Sequence, residues 1–146
     1  MQNITAKSSI DINAPATAVW EALTTPEPIK KYFMGADVKT DWQVGSPIEF
    51  NGTWEGKSFQ EKGTILEVIP NRSFRYTNWS SMSGIEDKPE NYVAITYTLN
   101  ESKDSTTLTI TQENISDETK KAQSEETWSL VLKEIKAIVE QQTVSA

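Results

Sequence analysis

A chain of 146 residues with a formal net charge of −7 and neither cysteine nor histidine is bounded before any motif is read. One domain spanning residues 1–146 fits that length, and a domain of this size buries roughly 68–70% of its unfolded surface, so its core needs no crosslink. The missing residue types exclude disulfides, thiolate nucleophiles, cysteine-ligated metals and the usual general base, and the acidic balance excludes nucleic acid, whose phosphates call for clustered Lys and Arg.

Along the chain, Ile4 to Ile12 alternates, with Ile4, Ala6, Ser8, Ile10 and Ile12 on one face of a strand. Asn13-Ala14-Pro15 stops it, and Val19, Trp20 and Leu23 follow at helical spacing, which predicts a helix from Pro15 to about Thr24. Thr25-Pro26-Glu27-Pro28 breaks that helix and starts a shorter one through Ile29, Tyr32 and Phe33, which Gly35 ends with a positive φ. Residues 36–47 read as irregular, with a turn at Gly45-Ser46-Pro47.

Strands come next. Ile48, Phe50 and Trp54 alternate with polar residues, and Glu55-Gly56-Lys57 offers a hairpin turn. Phe59 to Ile69 runs to a turn at Pro70-Asn71-Arg72, and Phe74, Tyr76 and Trp79 belong to the strand after it. Residues 80–90 form a polar loop carrying Met82, Gly84 and Ile85, a composition suited either to a flap over a pocket or to an ordinary connection. Met34 and Trp42 pose the same question for residues 34–47. Val93, Ile95, Tyr97 and Leu99 alternate cleanly, and Leu108 and Ile110 repeat the pattern. The period then lengthens. Trp128, Val131, Leu132, Ile135, Ile138 and Val139 form an apolar stripe on a long helix, capped near Ser116. The whole is α+β: a curved antiparallel sheet of about six or seven strands, two short helices after the first strand, and a long C-terminal helix across the sheet.

Met1-Gln2-Asn3-Ile4-Thr5 lacks a basic stretch followed by an apolar one, and no apolar run approaches the ~18 residues of a membrane span. A cytoplasmic protein without a membrane span, monomer or weak dimer, is the expectation.

Several of these segments resemble a known family. Ser9-Ile10-Asp11-Ile12-Asn13-Ala14-Pro15 followed by Val19-Trp20-Glu21-Ala22-Leu23-Thr24 is similar to the N-terminal signature of the SRPBCC (START/Bet v 1-like) superfamily. Gly63 to Pro70, Phe74-Arg75-Tyr76-Thr77 and the Trp128 to Ile138 stripe match in the same order. The branch it most resembles is the C-terminal domain of the activator of heat-shock protein 90 ATPase; the extra N-terminal domain of the eukaryotic activator has no counterpart in these residues. The resemblance implies a helix-grip fold with a cavity between sheet and helix for lipids, polyketides or other apolar ligands.

The aromatic residues are the main site candidates: five Trp, four Phe and four Tyr are a large apolar payload. Phe33, Phe50, Trp54, Phe59, Tyr76, Trp79, Tyr97 and Trp128, with Leu132 and Ile135, either line a cavity or fill the core. Glu61 shares the face of Phe59 and Ile65 if alternation holds across Gly63, which would put a carboxylate in or beside a cavity; exposed sheet surface is the other reading. Arg75 should face solvent. Glu113, Asp117, Glu118, Glu125 and Glu126 read as solvated surface, because adjacent acids on a helix face apart and no calcium-loop spacing accompanies them. No metal, cofactor or catalytic residue is assigned. The leading expectation is an apolar small molecule, lipid-like or aromatic, bound in the cavity. The alternatives are a chaperone partner, as for a stress-response co-chaperone, and a cyclase-like or isomerase-like enzyme working through Tyr76, Tyr97, Glu61 or Arg75.

Overall fold

The computed structural model describes residues 4–33, 35–54, 56–81, 85–115 and 117–145, the side chains of Trp54 and of 142–145 excepted. The first strand, β1 (Ile4–Ile12), buries Ala6 and Ile12 and exposes Thr5, Lys7, Ser9 and Asp11, as a period of two requires. Pro15 then stands at the N-cap of α1 (Ala16–Thr24), one residue ahead of the helix proper. Val19, Ala22 and Leu23 face the core, and the Glu101 carboxylate accepts from the Ala16 N–H, one of the donors a helix start leaves open. Thr25 is extended, and Pro26 opens α2 (Pro26–Tyr32). Gly35 closes it at φ +72°, its N–H reaching back to the Lys30 carbonyl.

Residues 36–47 are not wholly irregular. Asp37–Lys39 form β2, a three-residue strand paired with Asn51, Phe50 and Glu49. Then β3 (Pro47–Trp54), β4 (Lys57–Ile69), β5 (Ser73–Ser80), β6 (Val93–Ser102) and β7 (Ser105–Ile115) follow as an antiparallel meander. Trp54 pairs with Lys57, and Gly56 takes φ +79° in the hairpin between them. With β1 beside β7 and β2 beside β3, the seven strands run β1-β7-β6-β5-β4-β3-β2.

The 28-residue α3 (Glu118–Ser145) is about 42 Å long at 1.5 Å per residue. Ser116 lies outside the described residues, and the cap is Asp117, whose carboxylate accepts from the Lys120 N–H at 2.8 Å. Trp128, Val131, Leu132, Ile135 and Val139 are buried against the sheet and the short helices, with Ile138 partly so. Its polar flank has a second task. Glu125 accepts from the Lys7 N–H, Glu140 accepts from the Asn13 N–H, and Lys136 donates to the Asp11 carbonyl. Side chains of the helix thus occupy backbone groups along the free edge of β1. Among the described residues no helix is long and apolar enough to cross a membrane.

Where β4 crosses β5 the backbones come unusually close at Gly63. The register is kept from Lys62–Trp79 to Ile65–Tyr76 and shifts only between Ile65 and Glu67. Beside the glycine the Thr64 N–H bonds to the Thr77 hydroxyl at 2.9 Å. Alternation nevertheless carries across the glycine, so Phe59 and Ile65 are buried on the concave face, and Glu61 shares it.

Candidate functional site

The concave face collects an aromatic chamber. From α1, α2 and the residue that follows α2 come Leu23, Ile29, Tyr32 and Phe33, and from the sheet Phe50, Phe74, Tyr76 and Tyr97. Trp42, on the loop between β2 and β3, supplies the remaining wall. Strand parity explains the set: Phe74 and Tyr76 are two apart on β5, and Tyr97 lies opposite Phe74 on β6. Phe74 stacks on Tyr97 with centroids 4.5 Å apart, while Phe33 meets Phe50 edge-on at 4.8 Å. The space left among them is about 10 Å³, roughly what one water molecule needs. Most of these rings therefore act as core filling in this conformation.

Trp42 differs from the other walls. Its backbone sits at φ +60°, a left-handed conformation that a bulky residue adopts at a cost. The ring is only partly buried and stands edge-on to Phe74 at 5.5 Å.

Of the sequence-predicted residues, Phe33, Phe50, Tyr76 and Tyr97 border the chamber directly. Trp128 stacks over Phe33 and meets Tyr97 edge-on, and its indole N–H donates to Gln112 Oε1 at 2.7 Å. Leu132 and Ile135 are fully buried on α3 but do not border the residual space. Phe59 is buried over Gly52 and borders a separate open trough of about 580 Å³, whose other walls include Asp37, Asn51, Ser58, Gln60 and Ser81. The side chain of Trp54 lies outside the described residues.

Trp79 is a correction. It lies three residues after Tyr76 on a strand whose pairing with β6 is unbroken through Asn78, so it points away from the chamber. There it is covered by the Lys62 ammonium, 5.7 Å from the ring centroid, and donates to the Ile85 carbonyl at 3.1 Å. Lys62 also bonds Asp87, which in turn accepts from the Tyr92 hydroxyl at 2.6 Å. Trp79 and Lys62 thus tie down residues 85–92 on the outer face. Met82 and Gly84 lie outside the described residues. Arg75 faces outward as expected and pairs with Glu113 at 3.1 Å.

Polar chemistry enters at one end of the aromatic set. Asn78, 8% exposed, follows Tyr76 on the inner face of β5, and its Nδ2 donates to Glu61 Oε1 at 2.9 Å. Its Oδ1 is buried and has no partner. Burial pushes the Glu61 carboxyl above its usual range, and the bond from Asn78 offsets part of that. Burial likewise holds the Tyr32, Tyr76 and Tyr97 phenols far above their ordinary value, and the Glu61 charge adds to this for Tyr76 and Tyr97. These phenols stay neutral near pH 7. Sequence reasoning missed Asn78, although its even-numbered step from Phe74 and Tyr76 placed it on their face. Among the described residues no cluster of three carboxylates could hold a metal ion.

The raised Glu61 pKa makes a prediction. The folded state holds the proton more tightly than the unfolded chain, so this group's contribution is fully present below the ordinary value of 4.5. It is lost as pH rises through the folded-state pKa. Glu61→Gln, which keeps an acceptor for Asn78, should therefore be more stable than the parent at pH 8 by about 1 kcal/mol, roughly 3–5 °C in Tm. The difference should close as pH falls toward 4.5. Thermal melts of both proteins across that range check it, and a gap that ignores pH would refute the assignment.

Comparison with known proteins places this geometry. The family described as Activator of Hsp90 ATPase homolog 1-like protein matches residues 13–140. The solution structure of ChR145 from Cytophaga hutchinsonii is 39% identical, with a TM-score of 0.83 and all of both chains covered. CV1439 from Chromobacterium violaceum is 26% identical over 93% of this chain and 96% of its own, with a TM-score of 0.76. The Aha1 dimer from Colwellia psychrerythraea shares the fold at 21% identity and a TM-score of 0.74, covering 94% and 96%. No curated protein matches. With the match running from the end of β1 into α3, the chain belongs to the Activator of Hsp90 ATPase homolog 1-like family, within the SRPBCC (Bet v 1-like) superfamily.

Proposed function

We propose that this protein binds a small apolar molecule in the chamber between the sheet and the helices. The observation that carries the reading is the convergence of aromatic walls on a residual space, with one wall, Trp42, supplied by a strained loop residue. A space of about 10 Å³ admits no ligand as it stands. Entry therefore requires a wall to move. Phe33 and Trp42 are the walls outside regular strands and helices. Phe33 is buried against Phe50 and Trp128, whereas Trp42 is only partly buried. Leaving the left-handed backbone conformation of Trp42 releases strain that offsets part of the opening.

The test is a thermal-shift and native mass-spectrometry screen of freshly purified protein with fatty acids, sterols and aromatic polyketides. A co-purifying small mass, or stabilisation that grows with ligand concentration toward about 2.7 kcal/mol at a hundredfold excess over Kd, is the expected result. A flat response to all classes defeats the reading.

A second reading, a protein-binding module, is favoured by Val44, Leu66 and Ile69, which are apolar and exposed on β4 and on the loop that bonds to it at Ile65. The family's namesake activates a chaperone ATPase, so the corresponding assay is stimulation of a heat-shock protein 90 ATPase. Loss of stimulation on Leu66→Ser would support that reading over the first.

A further inference from the structure

Among the buried polar groups of the described residues, Thr106 donates to the Ala14 carbonyl. Thr96, whose hydroxyl lacks a partner, lies on the face of β6 opposite Ile95 and Tyr97. The Glu61–Asn78 pair is the one on the chamber's side of the sheet with an atom left over. The Asn78 Nδ2 donates to Glu61 Oε1 at 2.9 Å, which turns the amide with its nitrogen toward Glu61. Oδ1 is then left as a buried acceptor without a donor. Buried polar atoms are almost always paired, and an exception calls for a partner the protein does not itself supply. The pair lies behind the chamber's Tyr76 wall and does not border the residual space itself. Asn78 follows the chamber wall Tyr76 on the same face of β5, and the Glu61 carboxylate lies close enough to Tyr76 and Tyr97 to act on both phenols.

What could meet Oδ1 is constrained by charge. No Lys or Arg is among the described residues lining the chamber. An anionic head group would lose its hydration, find no cation and face Glu61. A hydrocarbon would leave Oδ1 as it is. A hydroxyl donates one hydrogen and carries no charge to desolvate. Resting on the reading that the chamber takes an apolar ligand, we infer that this ligand carries an uncharged hydroxyl group that donates to Asn78 Oδ1 at the Glu61 end. The ligand class is then a phenol, sterol or long-chain alcohol, and not a fatty acid.

Three probes matched in size test it: 2-naphthol, 2-methylnaphthalene and naphthalene-2-carboxylate, titrated calorimetrically into the parent and Asn78→Leu proteins. The parent should bind 2-naphthol at least about tenfold more tightly than 2-methylnaphthalene and the carboxylate most weakly. Asn78→Leu should erase the preference for the hydroxyl while keeping the hydrocarbon. Where that variant fails to fold, the Asn78 side-chain amide resonances of the parent serve instead. They should move with 2-naphthol and stay in place with 2-methylnaphthalene. Equal affinities for alcohol and hydrocarbon, a preference that survives Asn78→Leu, or amide resonances indifferent to 2-naphthol would overturn the hydroxyl inference and leave an apolar chamber. Failure of all three probes to bind would overturn both.

Discussion

Gly63→Ala is expected to cost at least about 3 kcal/mol of stability, the upper part of the range for overpacked positions. A β-carbon at Gly63 would lie 1.6 Å from the Thr77 carbonyl oxygen and 2.4 Å from its carbon. Both contacts are with backbone, so no rotamer change relieves them. Gly63 has an ordinary negative-side φ, since it is not among the positive-φ glycines, so the penalty comes from contact alone. β4 and β5 would have to part where Thr64 bonds to Thr77, next to the strand segment that carries Glu61 and Asn78. A urea titration reads the effect as a lowered midpoint at unchanged slope. Thr77→Ala in the same chain should not rescue it, because the obstructing atoms remain. A Gly63→Ala protein within 1 kcal/mol of the parent would show that the strands are not held this close.

Trp128→Ala is the second large effect, about 3–5 kcal/mol for truncating a buried tryptophan. The indole is 6% exposed, stacks on Phe33 and meets Tyr97 edge-on. Its removal also leaves Gln112 Oε1 without its donor. Since whole domains are stable by only about 5–15 kcal/mol, the variant should unfold well below the parent temperature. Trp128→Phe keeps much of the ring area and should cost less. The vacated volume adjoins the chamber through Phe33 and Tyr97, so free indole should raise the Tm of Trp128→Ala and leave the parent unchanged. Absence of rescue would mean that the site collapses instead of standing open.

How much of this was legible in the chain depends on how local each signal is. The α3 stripe from Trp128 to Val139 and the alternation of β1, β6 and β7 repeat often enough for period alone to reveal them, and they matched the structure. β2 escaped because three residues cannot display a period and its pairing with Phe50 is non-local. Trp79 was misplaced because aromatic character outweighed an odd step from Tyr76; the same counting would have found Asn78. Tyr32 and Trp42 join the chamber through how α2 and the 40–46 loop settle on the sheet, which no pattern in either segment records. The size of the space among the rings is set by stacking geometry, a property of all the walls together.

The attachment of α3 to the edge of β1 has a consequence for how the protein is made. β1 pairs with β7, about 100 residues downstream, and its other edge is met by Glu125, Lys136 and Glu140 later still. At 5–20 residues per second, a ribosome needs roughly 5–20 s to supply β7 after β1 has emerged. For that interval the first strand has neither of its neighbours. The meander from β3 to β6 can assemble as it appears, since each of its strands pairs with the next in sequence across a connection of two, three or twelve residues. Closure of the sheet at β1 is then the late, slow event in folding, because it must draw together the most distant parts of the chain.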